Sequence, residues 1–497
     1  MEKVRVRFAP SPTGFLHIGS VRTVIFNYLI AKKLNGSFIL RIEDTDQKRE
    51  VPGAVEGLIN IIDWLGLCFN EGPHIGGEYG PYIQTQRLDI YKKYQDELLE
   101  KEGAYYCFCT EERLRDMREK QQVEKLPPRY DRTCRNLTKE EVDTKIKNGE
   151  KYVIRQKLPL NGEITVHDEI KGDIKFSCAD LDDQVLIKAN GIPTYQFANV
   201  VDDHEMQISH VLRGDEWISS FPKNALLYKS FDWDMPKFIH MPLTLNKEGG
   251  KLSKRQGDVA VEDYKRKGYL SEAILNFCVL QGWHPKDDNE ILSIDDMAER
   301  FNIEDMGKSP SIFDSDKLDY FNGYYIRQKK LDEILDQCLK YYYEENFISL
   351  SNGKYLNKLS GDEISLDFIK KVIATEKERM KKLSEITELT KFFFLPKLEY
   401  EKSLLIWKQL SFDDIKNNLT SILKILEAIN NDEWDKNIIE NAVMSYLKNS
   451  NLKVGDYLWP IRVSLSGQKN SPGPFEIADA LGKNITIERI KSAIDII

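Results

Sequence analysis

The chain has 497 residues, of which 41% are hydrophobic and 30% charged, and its net charge is −9. That length suits about two to four domains, and the balance is that of an ordinary water-soluble globular protein, not a disordered, fibrous or membrane-spanning one. The acidic total argues mildly against a nucleic-acid partner without excluding one, because phosphate binding needs only a local basic face. Seven cysteines, an odd number, give no disulfide framework and fit a reducing cytoplasm. No stretch reads as a signal peptide, a membrane span, an internal repeat or a low-complexity segment.

In chain order, Val4, Val6 and Phe8 alternate with Arg5 and Arg7, the period-2 pattern of a strand that Pro10 and Pro12 end. From Ile18 to Leu34, Val21, Val24, Ile25, Tyr28 and Leu29 recur at helical spacing, and Gly36 is a stop signal. Phe38 to Ile42 reads as the next strand, so the segment predicts a βαβ unit with parallel strands. Residues 1–100 therefore read as α/β. Residues 101–189 change character, with a cysteine cluster, Pro127-Pro128 and short strand-like runs at Tyr152–Arg155 and Val185–Ile187, and read as an α+β insertion. Residues 190–240 resume the α/β pattern. Thr194 to Val201 is expected to be a strand, followed by another from Ile208 to Leu212. A basic segment lies within residues 241–324. From 325 to 497 the chain is helix-rich, with helical periodicity over Leu331–Tyr343, Leu366–Met380, Ile415–Ile429 and Ile485–Ile497.

Two short segments carry the chemistry. Arg7-Phe8-Ala9-Pro10-Ser11-Pro12-Thr13-Gly14-Phe15-Leu16-His17-Ile18-Gly19-Ser20 joins the first strand to the first helix. Ligands of parallel sheets bind beyond the carboxyl ends of the strands, where Ser11, His17, Glu43 and Asp44 fall. A helix N-terminus beside His17 offers free N–H groups to a phosphate. The second segment, Lys251-Leu252-Ser253-Lys254-Arg255-Gln256-Gly257, is a basic loop. Each alone has a bland explanation: a helix start, and a solvated basic loop. Other nucleotide motifs, G-x-x-x-x-G-K-[ST] and G-x-G-x-x-G after a strand, are absent from the sequence.

In this order and separation the two segments resemble the ATP-handling signatures of class I aminoacyl-tRNA synthetases. The whole chain resembles the bacterial-type glutamyl-tRNA synthetases, most clearly in Phe38–Asp46, Pro193–His204, Leu212–Trp217, Phe313–Leu318 and Pro460–Gly467. The resemblance implies a Rossmann-like catalytic core over residues 1–100 and 190–240 and an acceptor-end-binding insertion over 101–189. It further implies a stem-contact region over 241–324 and an all-α anticodon-binding half over 325–497. It implies activation of L-glutamate by ATP with Mg²⁺, transfer to the 3′ end of tRNA-Glu, and a monomeric cytoplasmic enzyme. Whether tRNA-Gln is also charged stays open. His17, Lys251 and Lys254 match the family's catalytic positions, and Ser11, Gly19, Ser20 and Ser253 join them around ATP. Arg7, Ala9, Ser11, Glu43, Tyr195, Asn199 and Arg213 match its glutamate pocket, with Arg7 on the substrate side chain and Glu43 facing its ammonium. Arginine forks suit carboxylates, although singly Arg7 reads as a solvent-facing strand residue and Arg213 as a partner of Asp215 or Glu216. The signatures depart from the general class pattern at Ser20, Leu252 and Arg255.

Cys107, Cys109, Tyr130 and Cys134 resemble a C-x-C…Y-x₃-C zinc pattern of some of these enzymes and their short paralogues. Others use a histidine where this chain has Asn136. The alternatives are a structural Zn²⁺ and three reduced cysteines without metal. Among rival functions, a glutaminyl enzyme would carry Glu-Pro-Asn-Gly at the first signature and a β-barrel half. The short paralogue lacks an anticodon half. A catalytically dead tRNA-binding protein would not need His17, Lys251 and Lys254.

Overall fold

The computed structural model describes residues 3–250, 252, 260–287 and 289–497; the calls on Lys251, Ser253 and Lys254 lie outside the described residues. Contacts divide the chain into two units: Met1–Tyr264 with Ile274–Ser315, and Lys265–Ala273 with Asp316–Ile497.

The first unit begins with β1 (Arg5–Phe8), α1 (Ile18–Lys33) and β2 (Ser37–Leu40), the expected βαβ unit, with β1 and β2 parallel and Val6 opposite Phe38. α1 buries Ile18, Val21, Val24, Ile25, Leu29 and Ile30. Its exit needs Gly36, where a Cβ would lie 2.4 Å from the Val4 carbonyl oxygen. Next come α2 (Ala54–Trp64), α3 (Leu88–Glu100), β3 (Ala104–Cys107), α4 (Glu111–Val123), α5 (Lys139–Lys147) and β4 (Val153–Gln156). Then follow β5 (Glu163–Asp168), β6 (Gly172–Ser177), β7 (Val185–Ile187), α6 (Tyr195–Glu205), β8 (His210–Gly214), α7 (Phe221–Phe231) and β9 (Lys237–Met241).

One six-stranded sheet has the order β2-β1-β8-β9-β5-β6; its first five strands run parallel and β6 returns antiparallel. The strand order reverses direction between β1 and β8, which makes their carboxyl ends the topological switch point where such sheets bind ligands. A smaller antiparallel sheet, β3-β4-β7, confirms the strand-like runs near 152–155 and 185–187. The β5–β6 hairpin of the inserted stretch does not stay apart: it extends the main sheet beside β9.

The expected strand over Thr194–Val201 is corrected to a helix, α6. A short apolar run cannot distinguish a buried helix from a buried strand. Here Phe197, Val200 and Val201 are fully buried at i, i+3 and i+4. The helix also brings Asp202 and Asp203 inward together with Asn199.

In the second unit, helices Leu331–Glu344, Leu366–Glu376, Phe412–Ala428, Lys436–Asn449, Val454–Ser466, Pro474–Leu481 and Lys483–Asp495 enclose a core that includes Ile334, Ile369, Ile422, Val443, Ile477 and Ile490. Phe412–Ala428 shows why these segments are helical. Ser411 and Asp414 form a capping box, and Ile415, Leu419, Ile422 and Leu426 make one buried stripe. Burying each such side chain contributes about 1.5–3 kcal/mol. A three-stranded antiparallel sheet, Ile348–Ser351, Lys354–Asn357 and Glu363–Ile364, accompanies the helices.

Candidate active site

A cavity of about 650 Å³ opens at the switch point, lined among others by Arg7, Ala9, Ser11, Ser20, Glu43, Tyr195 and Arg213. A second, of about 450 Å³, shares Ala9, Ser11 and Ser20 with it and adds Gly14 and His17. Seven of the residues expected around glutamate or ATP thus meet in one cavity, and His17 belongs to the adjoining one.

Arg7 reaches the cavity from β1. Its Nε and Nη2 donate to the two oxygens of Asp203 at 3.0 and 3.2 Å. Arg41, wholly buried, donates Nη1 to Asp203 at 2.7 Å and Nη2 to Glu43 at 2.9 Å. Burial pushes the Asp203 carboxyl up, but Arg7 and Arg41 together outweigh it and hold the group below the usual carboxylate range. For Glu43 burial wins over Arg41 and Arg7, and its pKa is raised. Asp202 is engaged by Arg87 at 2.7 Å and Gln84 at 2.8 Å, and it lies 3.7 Å from Arg41 Nε. Among the side chains that line the cavity, Arg7, Arg49, Lys188 and Arg213 stand against Glu43, Asp46 and Glu216, which leaves one positive charge in excess.

Arg213, on β8, is 5% exposed. Its Nε donates to His240 Nε2 at 2.8 Å, while Nη1 and Nη2 are buried with no protein partner. It does not pair with Asp215 or Glu216, the bland alternative. Asn199, on α6, is buried with both amide atoms unpartnered, as is the Tyr228 hydroxyl. Buried polar groups in a native protein are nearly always satisfied, so the unpartnered Arg213 edge beside the cavity suits a polar ligand. Asn199 is not among the side chains that line that cavity, and Tyr228 lines a separate one with Pro159 and Trp233. Tyr195 packs on Trp217 with ring centroids 4.6 Å apart and the rings tilted by 33°. Burial first, and Glu43 second, push its phenol up to about 12, so it stays a hydrogen-bond donor.

His17 caps α1: its Nδ1 accepts the Gly19 N–H at 3.0 Å. In the neutral ring the proton must then sit on Nε2, which can donate. A Cβ on Gly19 would lie 3.1 Å from Nδ1, so the close turn favours glycine. Of the described residues that flank the basic segment, Ala260 and Val261 lie against this turn. Asn246 Oδ1 accepts the N–H groups of Glu248 and Gly250 at 2.8 and 3.0 Å. On the far side Ala260 bridges to His17, and Val261 N–H donates to Leu16 O at 2.9 Å.

Sequence reasoning did not single out Arg41, Asp203, Asp168, His240 or Trp217. Arg41, Asp203 and Trp217 lie inside the stretches that carry the resemblance, which was the available signal. Nothing local marks Asp168 or His240.

In the inserted stretch, the Sγ atoms of Cys107, Cys109 and Cys134 lie within 4.8 Å of one another. Tyr130 Oη is 3.3 Å from Cys107 Sγ and 3.4 Å from Cys109 Sγ, and it accepts the Cys134 N–H at 3.1 Å. The hydrogen bond from Cys134 draws the Cys107 thiol below its usual range. Three convergent sulfurs with a phenol oxygen between them fit a tetrahedral zinc site. Asn136 is exposed.

A parallel sheet with two adjoining cavities at its switch point, followed by a helical unit, is the arrangement of a class I synthetase. The family model of the catalytic domain of class I tRNA synthetases (E and Q) matches residues 3–320, and that of an anticodon-binding domain matches residues 333–494. The chain belongs to this glutamate and glutamine family of class I tRNA synthetases. It is 46% identical over 496 residues to a glutamate–tRNA ligase of Clostridium botulinum, covering 99% of this chain and 98% of the relative. It is 45% identical to that of Clostridium kluyveri, at the same coverage. A crystal structure of a glutamate tRNA ligase from Elizabethkingia meningosepticum in complex with its amino acid superposes with a TM-score of 0.88 at 36% identity, covering 99% of both chains. Among the described residues no helix is long and apolar enough to cross a membrane.

Proposed function

We propose that the chain is a glutamate–tRNA ligase. It activates L-glutamate with ATP to glutamyl-adenylate and pyrophosphate, then passes the glutamyl group to the 3′ end of tRNA-Glu. The observation that carries the substrate is the buried, unpartnered Nη1–Nη2 edge of Arg213. It sits in a cavity with one excess positive charge, the complement of glutamate's net negative charge. Arg213 and Arg7 grip the two carboxylates, and Arg7 takes the side-chain carboxylate. Asn199, Tyr195, Ser11 and the Ala9 backbone complete the polar pocket, and Glu43 faces the ammonium. His17, Gly19, Ser20 and Ser11 hold ATP at the start of α1. Lys251, Ser253 and Lys254 clamp its phosphates, which Mg²⁺ accompanies.

Both the attacking carboxylate and the pyrophosphate leaving group are anionic, so catalysis rests on positioning and charge stabilisation. The sharing of Ala9, Ser11 and Ser20 by the two cavities supports this: the carboxylate and the α-phosphate must meet at a common wall. Residues 1–100 and 190–240 act as the catalytic core, 101–189 bind the acceptor end, 241–324 contact the stem, and 325–497 read the anticodon. A zinc ion held by Cys107, Cys109, Cys134 and Tyr130 staples the acceptor-binding stretch. The enzyme acts as a cytoplasmic monomer.

Glutamate-dependent ATP–pyrophosphate exchange, with and without tRNA, tests the activity, and charging of purified tRNA-Glu and tRNA-Gln sets its range. Lys254→Ala should lower exchange about 10²-fold while leaving tRNA affinity intact, because phosphate clamps act mainly in the transition state. Near-normal turnover in that variant would remove the loop from the mechanism.

A further inference from the structure

Arg213 is held by a chain of buried polar groups that no recognised motif contains. Three neighbouring parallel strands contribute one residue each: Arg213 from β8, His240 from β9 and Asp168 from the end of β5. Arg213 and His240 are register partners, and Asp168 stands opposite Phe238. All three are buried, His240 and Asp168 completely.

The hydrogen bonds can run in one direction only. An arginine Nε always donates, so His240 Nε2, 2.8 Å away, must accept. The neutral ring then carries its proton on Nδ1, which lies 2.8 Å from Asp168 Oδ2. Asp168 is itself fixed. Oδ2 also takes the His240 N–H at 2.9 Å, and Oδ1 takes the N–H groups of Ile170 and Lys171 at 3.0 and 2.9 Å. Aromatic rings hold the plane of the chain. The His240 ring packs against Phe221 at 4.8 Å, and the Arg213 guanidinium carbon lies 4.9 Å from the Phe238 ring centroid.

A guanidinium can offer a carboxylate either its Nε–Nη2 edge or its Nη1–Nη2 edge. Arg7 uses the first on Asp203. Binding of Nε by His240 leaves Arg213 only the second, and that edge is unpartnered beside the cavity. We propose that Asp168 and His240 are positioning residues for glutamate, which lock the tautomer and the Nε of Arg213 so that its Nη1–Nη2 edge faces the substrate carboxylate. The inference rests on the reading that Arg213 grips glutamate. It also gives the inserted stretch a part in amino-acid recognition, through the hairpin that ends β5.

The test is KM for glutamate and for ATP, measured separately on the full-length enzyme with tRNA. The variants are Arg213→Ala, His240→Leu, His240→Gln, Asp168→Asn and the double variant Arg213→Ala/His240→Leu. His240→Leu removes the acceptor. Asp168→Asn turns an N–H toward His240 and favours the wrong tautomer. Each should raise the glutamate KM about tenfold, as loss of one charge-assisted hydrogen bond would, with the ATP KM within about twofold. His240→Gln, whose amide oxygen can accept from Nε, should fall between His240→Leu and the wild type. The double variant should match Arg213→Ala alone, because a residue acting through Arg213 has nothing left to position. If His240→Leu does not fold, the near-isosteric Asp168→Asn carries the tenfold expectation and His240→Gln should fall between it and the wild type.

A normal glutamate KM in Asp168→Asn and the His240 variants, with a raised one in Arg213→Ala, would overturn the relay and leave Arg213 in the pocket. Parallel rises in both KM values, or multiplied effects in the double variant, would overturn it too, by assigning His240 a general structural role. A normal glutamate KM in Arg213→Ala would instead refute the underlying reading of Arg213.

Discussion

Asp203 joins two buried arginines of this site. It accepts from Arg7 at 3.0 Å and Arg41 at 2.7 Å, all three side chains being buried. Desolvating these charges is costly, and only their mutual pairing offsets the cost. Asp203→Ala should therefore lower the stability of the first unit by about 3–5 kcal/mol, since it leaves two buried guanidinium groups facing each other. Denaturant unfolding of the variant checks this, and a change under about 1 kcal/mol would mean that water or another carboxylate compensates. Arg7, Glu43 and Arg213 could each be named from their motifs. Their partners could not, because Asp203 is 196 positions from Arg7 and its role depends on α6 being a helix.

At the scale of the element, α6 and the cysteine cluster make opposite points. The run from Thr194 to Val201 is apolar enough to suit either period, and tertiary burial of Phe197, Val200 and Val201 decided for the helix. The cysteines were legible because metal ligands have short, fixed spacings. Their three sulfurs do converge, at the end of β3 and in the loop that carries Tyr130. Around them α4 and α5 contain no buried residue, so the segment has little core to stabilise it. Protein prepared without chelator should carry about one zinc per chain. Cys134→Ser should lose the metal, lower the unfolding temperature of the insertion, and weaken acceptor-end contacts more than ATP binding. Metal analysis that finds no zinc in the wild type would return the cluster to three reduced thiols.

For the whole molecule, the composition change near Tyr325 and the observed division after Ser315 fall close together. The difference matters for any truncation. Residues 265–273 belong with the second unit, where Leu270 is buried in the helical core and Leu270 N–H donates to Asn322 at 2.8 Å. A fragment of residues 1–315 should fold, since units of this size can fold alone, and it should bind ATP and glutamate. Its stretch 265–273 should be cut first by proteases. Its kcat/KM for charging tRNA should fall by about 10²-fold or more, because tRNA affinity is spread over phosphate contacts along the whole surface. Undiminished charging would mean that the helical unit does not read the anticodon.

The sequence by itself determined the βαβ opening, the helical character of the last third, and seven of the side chains that line the switch-point cavity. Those features are written in local periodicity and in short spacings, which survive without knowledge of the fold. Only the tertiary structure decided that α6 is a helix, that the inserted hairpin joins the main sheet, and that Asp168 and His240, 72 positions apart, stand in line behind Arg213. The physical reason is that strand order in a parallel sheet follows from long crossovers and shared burial, not from neighbouring residues. A buried hydrogen-bond chain across three strands leaves no period in the sequence to read.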